Sequence, residues 1–132
     1  MNNNQFTIVI PCKNEGINIY DCLGFICKQK GIGNTRVIIA DNSDDEESLN
    51  WLCRAQTDYK YSIKIEIIKG GYPAKARLEG SKLVDTPYIL FLDADIIVLK
   101  KDIFSLFNLN TPAVVFLGKL SNKPTERYFK DF

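Results

Sequence analysis

The stretch FTIVIPCKNEGINIYDCLGFICKQK, residues 6–30, joins a short apolar run, a polar loop and a segment with helical periodicity. The run at residues 6–10 is rich in β-branched residues and has the length of a buried strand. Further along, five apolar residues recur at helical spacing and form one face that can pack on a sheet. They are Ile19, Cys22, Leu23, Ile26 and Cys27. The stretch therefore predicts a strand followed by an amphipathic helix.

The same alternation continues along the chain. Further apolar runs predict strands at residues 36–40, 63–68, 88–92 and 113–117. Two more helices are predicted, one over residues 46–59 and one from Pro73 to about residue 84. Ser43, Asp44 and Asp45 are candidate caps for the first of these. Alternating strands and helices predict an α/β, Rossmann-like sheet of mostly parallel strands with helices on both faces, and the alternating polarity of IKIEII favours an edge position.

Size and charge restrict the classes of partner. The 132 residues predict one domain, with the polar segment 118–132 expected to be a mobile tail or to dock elsewhere. Seventeen basic residues nearly balance sixteen acidic ones, so no nucleic-acid partner is expected.

The four cysteines form no CxxC pair and the chain has no histidine, which argues against a zinc site and favours reduced thiols. With no signal peptide or long apolar run, we expect a cytoplasmic protein, associated with a membrane only through a missing segment or partner.

Polar residues follow each predicted strand at the point where it ends. In an open α/β sheet, ligands bind beyond the carboxyl ends of the strands, so these loops should meet at one rim. Their sequences are PCKNEG at residues 11–16, DNSDDEES at 41–48, KGGYPAKAR at 69–77 and DAD at 93–95.

The DAD sequence places two carboxylates one residue apart. If the extended strand geometry persists, Asp93 and Asp95 point to one side and Ala94 to the other. Two like charges so close resist ionising together unless a cation offsets them, and an oxygen-rich site suits Mg²⁺ or Mn²⁺. Lys75 and Arg77 can bind the same anion as the metal. An isolated DxD is a weak motif, however, and solvated acids at a strand end are the alternative.

Structural alternatives exist for the other loops as well. Asn14 and Glu15 can cap the helix that follows them, or they can contact a ligand. The Asp41–Asn42–Ser43 sequence can form a turn whose side chains bond their own backbone. Gly70 and Gly71 favour a tight turn, since their spacing is not that of a phosphate-binding loop.

The ordered set of motifs resembles the nucleotide-sugar-binding half of family 2 glycosyltransferases, which have the GT-A fold. The family pattern P-x-x-N-E is matched by Pro11, Asn14 and Glu15, and its acid-rich turn by ADNSDDEES. A segment similar to G-x-x-x-A-R precedes the DxD strand, as GYPAKARLEGSKLVDTPYILFLDAD. The resemblance extends over residues 6–100 and implies a single, truncated GT-A-like donor-binding domain over residues 1–132.

The resemblance also implies roles for individual residues. Pro11 and Glu15 would line the nucleoside pocket, and Asp41 would accept a hydrogen bond from the base. Arg77 would lie near the base or diphosphate, Asp93 near the ribose or sugar, and Asp95 on the metal that bridges the diphosphate. Asn14 and Lys75 complete the predicted nucleotide-sugar site, with Asp93 and Asp95 as metal ligands.

The sequence departs from the family pattern in three places. Asn42 stands where a second acid often follows Asp41, and the chain lacks the histidine that some relatives use on the metal. After residue 117 only GKLSNKPTERYFKDF remains, whereas similar enzymes continue into an acceptor-binding half. The general base is therefore expected outside this chain, because Glu126 and Asp131 have no family motif around them.

The resemblance implies a glycosyltransferase-like function. The protein would bind a nucleotide diphosphate sugar, with UDP as the expected nucleotide, and a divalent metal for inverting transfer to an acceptor hydroxyl of a glycan or lipid. A homodimer or a missing second half would complete the cleft. A non-catalytic nucleotide-sugar-binding or regulatory module that needs a partner is the first alternative. A phosphoacceptor receiver domain is the second, although PCKNEG and LGKLSNK fit its pattern only loosely.

Overall fold

The computed structural model describes residues 5–106, and the strand predicted at 113–117, like the 118–132 tail, lies outside this range. Four strands alternate with three helices. The strands are β1 (Phe6–Cys12), β2 (Thr35–Asp41), β3 (Ile63–Lys69) and β4 (Tyr88–Phe91). The helices are α1 (Ile17–Cys27), α2 (Glu46–Tyr59) and α3 (Pro73–Ser81), and a 3-10 turn spans Ile103–Leu106.

The described strands form one parallel sheet in the order β3-β2-β1-β4. β1 and β2 are central and their apolar residues are almost completely buried, whereas β3 and β4 lie at the edges of the described sheet. The edge position predicted for IKIEII is confirmed. Because β1 lies between β2 and β4, the loops that follow these three strands meet at the carboxyl end of the sheet.

Helices cover both faces of the sheet. Alternate residues of β1, including Ile8 and Ile10, pack with Leu23 of α1 and Leu52 of α2 in one apolar cluster. On the other face α3 crosses β1, so closely that a Cβ on Gly80 would lie 2.6 Å from Val9 Cγ1. Only glycine permits this contact between helix and sheet, which sets the position of α3 and of Arg77 on it.

Of the two helices predicted with bounds, one agrees with the structure and the other ends earlier. α2 has the predicted bounds, and the Asp45 side chain caps it by accepting from the Ser48 N–H at 2.7 Å. α3 ends at Ser81 instead of continuing to about residue 84. Within residues 5–106, no helix has both the length and the apolar character needed to cross a membrane.

The amino end of the sheet is closed by side chains that pair with one another. Phe6 packs against Tyr88 and Phe104, with ring centroids 5.5 and 5.2 Å apart. Gln29 is buried, donates to the Lys100 carbonyl and accepts from the Ile103 N–H. These contacts anchor the segment that returns from the carboxyl end after β4.

Candidate functional site

Two clefts open at the carboxyl end of the sheet. The first, which we call the inner cleft, has a volume of about 300 Å³ and lies beyond β1 between the β3–α3 loop and the loop after β4. Its charged lining residues are Lys13, Glu15, Arg77, Asp93 and Asp95. Its other lining residues are Pro11, Cys12, Gly71, Pro73 and Ala94. The structure thus brings together five of the eight predicted site residues: Pro11, Glu15, Arg77, Asp93 and Asp95.

The DAD acids reach the inner cleft through a turn. β4 ends at Phe91, and the Ile96 N–H donates to the Asp93 carbonyl at 3.0 Å. The extended strand geometry that was assumed for Asp93 and Asp95 therefore does not continue beyond β4. Ala94 is only 2% exposed and belongs to the core cluster, while both acids are exposed. A buried alanine holds the turn against the core, so both carboxylates lie at the surface of one cleft.

Arg77 and Asp93 form an ion pair across the inner cleft. Arg77 Nη2 donates to Asp93 Oδ1 at 2.8 Å, and both side chains are partly exposed. The pair joins α3 to the loop after β4, two elements on different sides of the cleft. Asp95 has no hydrogen bond or ion pair within residues 5–106, so its carboxylate oxygens are available to a ligand.

The second cleft, the outer cleft, lies beyond β2 and β3 and has a volume of about 500 Å³. It is lined by Lys13, the loop residues Asp41, Asn42, Ser43 and Asp44, and Ile67, Ile68 and Lys69 of β3. The predicted base-contact residue Asp41 is thus in a different cleft from Asp93 and Asp95. Its Oδ1 accepts from the Ser43 hydroxyl at 2.6 Å and from the Ser43 N–H at 3.2 Å. The predicted self-bonded turn at Asp41 is confirmed.

Asn14 lies in the loop after β1 and lines neither cleft. Its side-chain amide donates to Asp44 Oδ1 at 2.8 Å, and its Oδ1 accepts from the Asp44 and Asp45 N–H groups at 2.9 and 3.3 Å. The residue preceding α1 is Gly16, with no side-chain cap bond, so the prediction that Asn14 or Glu15 caps this helix is wrong. The backbone has positive φ at both Asn14 and Gly16 and turns sharply before α1. The Asn14 amide is already bonded to Asp44 in the loop after β2.

Lys75 also lines neither described cleft, and its aliphatic stem packs beside Gly71. Gly70 is required by a close approach of two backbones. A Cβ there would lie 2.7 Å from the Ala40 carbonyl oxygen, and the Gly70 N–H donates to the Asp41 carbonyl at 2.8 Å. This glycine joins the ends of β2 and β3 beneath the outer cleft.

The cysteine at the inner cleft is not suited to nucleophilic chemistry. Burial, with the nearby Asp41 and Glu15 carboxylates, raises the pKa of the Cys12 thiol to about 12. Burial also raises the pKa of the Cys22 thiol to about 12. Both thiols therefore stay protonated at physiological pH. The predicted burial is confirmed for Cys12 and Cys22, which are both free cysteines, whereas Cys53 is exposed.

Lys13 is a site residue that the sequence reasoning did not select. It lines both clefts, is exposed, and has no hydrogen bond or ion pair with any described residue. A signal for it was present, because Lys13 follows the end of β1 directly, between the family-like Pro11 and Asn14. A cation between two clefts can bind an anion that spans them.

The inner cleft suits a hard divalent cation only in combination with an anionic ligand. Within residues 5–106, no cluster of three or more His, Cys, Asp or Glu side chains is placed to hold a metal. Asp95 has free carboxylate oxygens, while Asp93 is paired with Arg77. Mg²⁺ and similar ions are commonly bound by one or two carboxylates, with water and substrate phosphates completing the shell. The residues present fit that mode of binding.

Comparisons with known proteins identify the family of this chain. The family model described as glycosyl transferase family 2 matches residues 7–124. A teichoic acid poly(glycerol phosphate) polymerase from Staphylococcus epidermidis is 33% identical over 93 residues, which cover 70% of this chain and 13% of that protein. The chain therefore spans only about an eighth of the length of this curated relative.

Solved structures share the fold. The crystal structure of S. aureus TarS superimposes with a TM-score of 0.55 at 24% identity, covering 69% of this chain and 16% of TarS. TarS 1-349 in complex with UDP gives a TM-score of 0.56 at 22% identity, covering 69% of this chain and 27% of that one. These similarities confirm the α/β, Rossmann-like GT-A architecture. With the family model covering most of its length, the chain belongs to glycosyl transferase family 2.

Proposed function

We propose that this chain is the donor-binding part of an inverting glycosyltransferase that binds a UDP-sugar together with a divalent metal ion. The observation that carries the proposal is the inner cleft, where Asp95, the Arg77–Asp93 ion pair and Glu15 lie at the carboxyl end of a parallel sheet. Family membership supports the reaction class. The UDP bound to TarS 1-349 supports the choice of nucleotide.

The negative charge of the inner cleft supports the proposal that a divalent metal ion binds there. Three carboxylates, Glu15, Asp93 and Asp95, outnumber the two cations that line it, and one of those cations is already paired with Asp93. A diphosphate would be repelled by such a surface unless a cation entered with it. Asp95, with Asp93 beside it, would hold Mg²⁺ or Mn²⁺, which when bound would neutralise charge on the diphosphate.

We propose that the nucleotide spans both clefts. The base would lie in the outer cleft against the Asp41 carboxylate, and the diphosphate would lie in the inner cleft near Asp95. Pro11 would border the nucleoside and Arg77 would bind the ribose or diphosphate while holding Asp93 in place. These roles follow from side-chain chemistry, because the Asp41 carboxylate accepts hydrogen bonds and the Arg77 guanidinium is a cation that binds phosphate.

The transfer itself would be a single displacement. The acceptor hydroxyl oxygen would form a bond to the anomeric carbon as the bond from that carbon to the diphosphate oxygen breaks, which inverts the configuration. A general base would take the hydroxyl proton. No described residue is assigned this role, so we propose that a further part of the polypeptide or a partner subunit supplies the base and the acceptor surface.

Calorimetric titration of UDP tests the proposal. We expect binding in the presence of Mn²⁺, weaker binding with chelator, and weaker binding of CDP and ADP. Titration of uridine, which carries no phosphate, separates the contribution of the nucleoside from that of the diphosphate. Absence of UDP binding with Mn²⁺ would contradict the proposed donor site. Binding that is unaffected by chelator would contradict the metal assignment alone.

A further inference from the structure

We propose that Asn14 is a positioning residue that fixes Asp41, and with it the preference for one base, through Ser43 and without contact to the ligand. The inference rests on the proposed function, in which Asp41 accepts a hydrogen bond from the base. It assigns Asn14 a role different from that of a ligand contact. The evidence is a continuous set of hydrogen bonds from the loop after β1 to the Asp41 carboxylate.

The first part of this set is the Asn14 side chain. Its amide nitrogen donates to Asp44 Oδ1 at 2.8 Å, and its amide oxygen accepts from the N–H groups of Asp44 and Asp45 at 2.9 and 3.3 Å. One side chain thus holds two successive peptide groups of the loop after β2. Those peptide groups directly follow Ser43, so the amide determines where Ser43 lies.

The second part runs through the Ser43 hydroxyl. The Asn14 backbone N–H donates to Ser43 Oγ at 2.8 Å, and Ser43 Oγ lies 2.6 Å from Asp41 Oδ1. A hydroxyl has one proton, and a carboxylate can only accept, so Ser43 donates to Asp41 while it accepts from Asn14. Accepting one bond strengthens the donation of the other. Asp41 Oδ1 is therefore held in place, which restricts the orientation of the whole carboxylate.

The backbone of Asn14 makes this arrangement possible. Its φ is 52°, in the left-handed region that asparagine and glycine tolerate better than other residues. In this conformation the backbone N–H and the side-chain amide both reach the loop after β2. Glycine at this position would keep the backbone conformation and the bond to Ser43 while removing only the amide contacts.

The chain contains a control contact close by, between the loop after β1 and the first turn of α2. The Gly16 N–H donates to Ser48 Oγ at 2.9 Å, and the Ser48 N–H donates to Asp45 Oδ1 at 2.7 Å. Ser48 thus links the loop after β1 to the start of α2, and no described hydrogen bond joins it to Asp41 or Ser43. If Asn14 only joined the loops, Asn14→Gly and Ser48→Ala would have the same effect on nucleotide binding.

The experiment measures dissociation constants for UDP and CDP, with Mn²⁺, for wild type, Asn14→Gly, Ser48→Ala, Asp41→Ala and the Asn14→Gly/Asp41→Ala double variant. We expect Asn14→Gly to reduce the preference for UDP over CDP by about three- to tenfold, the range of one ordinary hydrogen bond, because Asp41 itself remains. Ser48→Ala should leave this preference within about twofold of wild type. The double variant should bind UDP no more weakly than Asp41→Ala, because Asn14 acts through Asp41.

A second measurement needs no nucleotide. Exchange of the Ser43 backbone amide, which donates to Asp41 Oδ1 at 3.2 Å, reports directly on the turn. We expect faster exchange in Asn14→Gly and unchanged exchange in Ser48→Ala. Equal effects of the two substitutions, full additivity with Asp41→Ala, or an unchanged Ser43 amide in Asn14→Gly would each overturn the inference. If wild type fails to bind UDP, the proposed function is wrong, and Ser43 exchange alone decides the role of Asn14.

Discussion

The two ends of the sheet use their polar side chains differently. At the amino end, several polar side chains are paired within the protein, although the buried Thr35 hydroxyl has no hydrogen-bond partner among the described residues. Gln29 links Lys100 to Ile103, and Arg36 binds Glu66 and the Leu83 carbonyl. At the carboxyl end, Lys13 and Asp95 have no partner among residues 5–106. Paired groups stabilise the fold, whereas unpaired charges at a cleft are available to a ligand.

This difference follows from the parallel topology. All four described strands point the same way, so their carboxyl ends and the loops after them collect at one end. The returning segments pack at the other end, where Phe104 contacts Phe6. Substitutions at the carboxyl end should therefore change binding with little effect on stability, and substitutions at the amino end should do the opposite.

The largest expected effect is that of Asp95→Ala. Because this exposed acid has no described partner, its removal should abolish metal-dependent UDP binding and leave the melting temperature unchanged. Calorimetry with Mn²⁺ and thermal denaturation measure the two quantities. Asp102→Ala, which removes an exposed acid near the amino end, is the matched control and should bind UDP normally. Retained metal-dependent affinity in Asp95→Ala would remove Asp95 from the metal site.

The corresponding change at the amino end is Gln29→Ala. It leaves the Lys100 carbonyl and the Ile103 N–H without their partner and should lower the free energy of unfolding by about 1–3 kcal/mol. Urea denaturation measures this loss, with the exposed Gln56→Ala as control. UDP affinity should stay at the wild-type value under conditions where the protein is folded. A loss of affinity without a loss of stability would contradict the division between the two ends.

Asp41→Ala should weaken UDP binding by about 1–3 kcal/mol through loss of a charge-assisted hydrogen bond to the base. The measurement is a comparison of UDP with uridine, which should lose the same factor because both carry the base. Glu46→Ala, which removes an exposed acid in the first turn of α2 that lines neither cleft, is the control. Wild-type affinity in Asp41→Ala would leave this residue with its observed turn-forming role alone.

A smaller effect is expected for Lys13→Met, which keeps the length of the side chain and removes its charge. An exposed charge pair contributes about 0.2–1 kcal/mol, so UDP affinity should fall by up to about fivefold. Uridine affinity should not change, because uridine has no phosphate. Lys69→Met, at the far side of the outer cleft, is the matched control. Equal losses for UDP and uridine would show that Lys13 contacts the nucleoside instead.

The smallest effect concerns the Arg36–Glu66 pair and its pH dependence. The hydrogen bond from Arg36 lowers the pKa of Glu66, so the pair contributes stability above the pKa that Glu66 has in the unfolded chain. That contribution is lost as the pH falls through the lowered folded-state pKa. Wild type should therefore lose more stability on acidification than Glu66→Gln, as measured by urea denaturation across this range. Parallel pH profiles for the two proteins would contradict the assignment.

Most of the fold could be predicted from local sequence patterns. The bounds of α2 follow from helical periodicity and the Asp45 cap, and the edge position of β3 follows from its alternating polarity. The early end of α3 and the turn at Asp93 could not be predicted in this way. The turn at Asp93 depends on a contact with residues distant in sequence, because Ala94 is buried in the core. After α3, the Leu83 and Val84 N–H groups form turn hydrogen bonds to the Gly80 and Ser81 carbonyls, and helical periodicity does not specify such a change.

The site shows the same division. The sequence by itself determined the alternation of strands and helices, the polar loops at the strand ends and the family resemblance, because these depend on periodicity and on short motifs. Only the tertiary structure decided that Asp41 and Asp95 lie in different clefts, that Lys13 borders both, and that Asn14 bonds to the next loop. Those facts depend on the order of strands in the sheet and on the direction of individual side chains, and a linear pattern specifies neither.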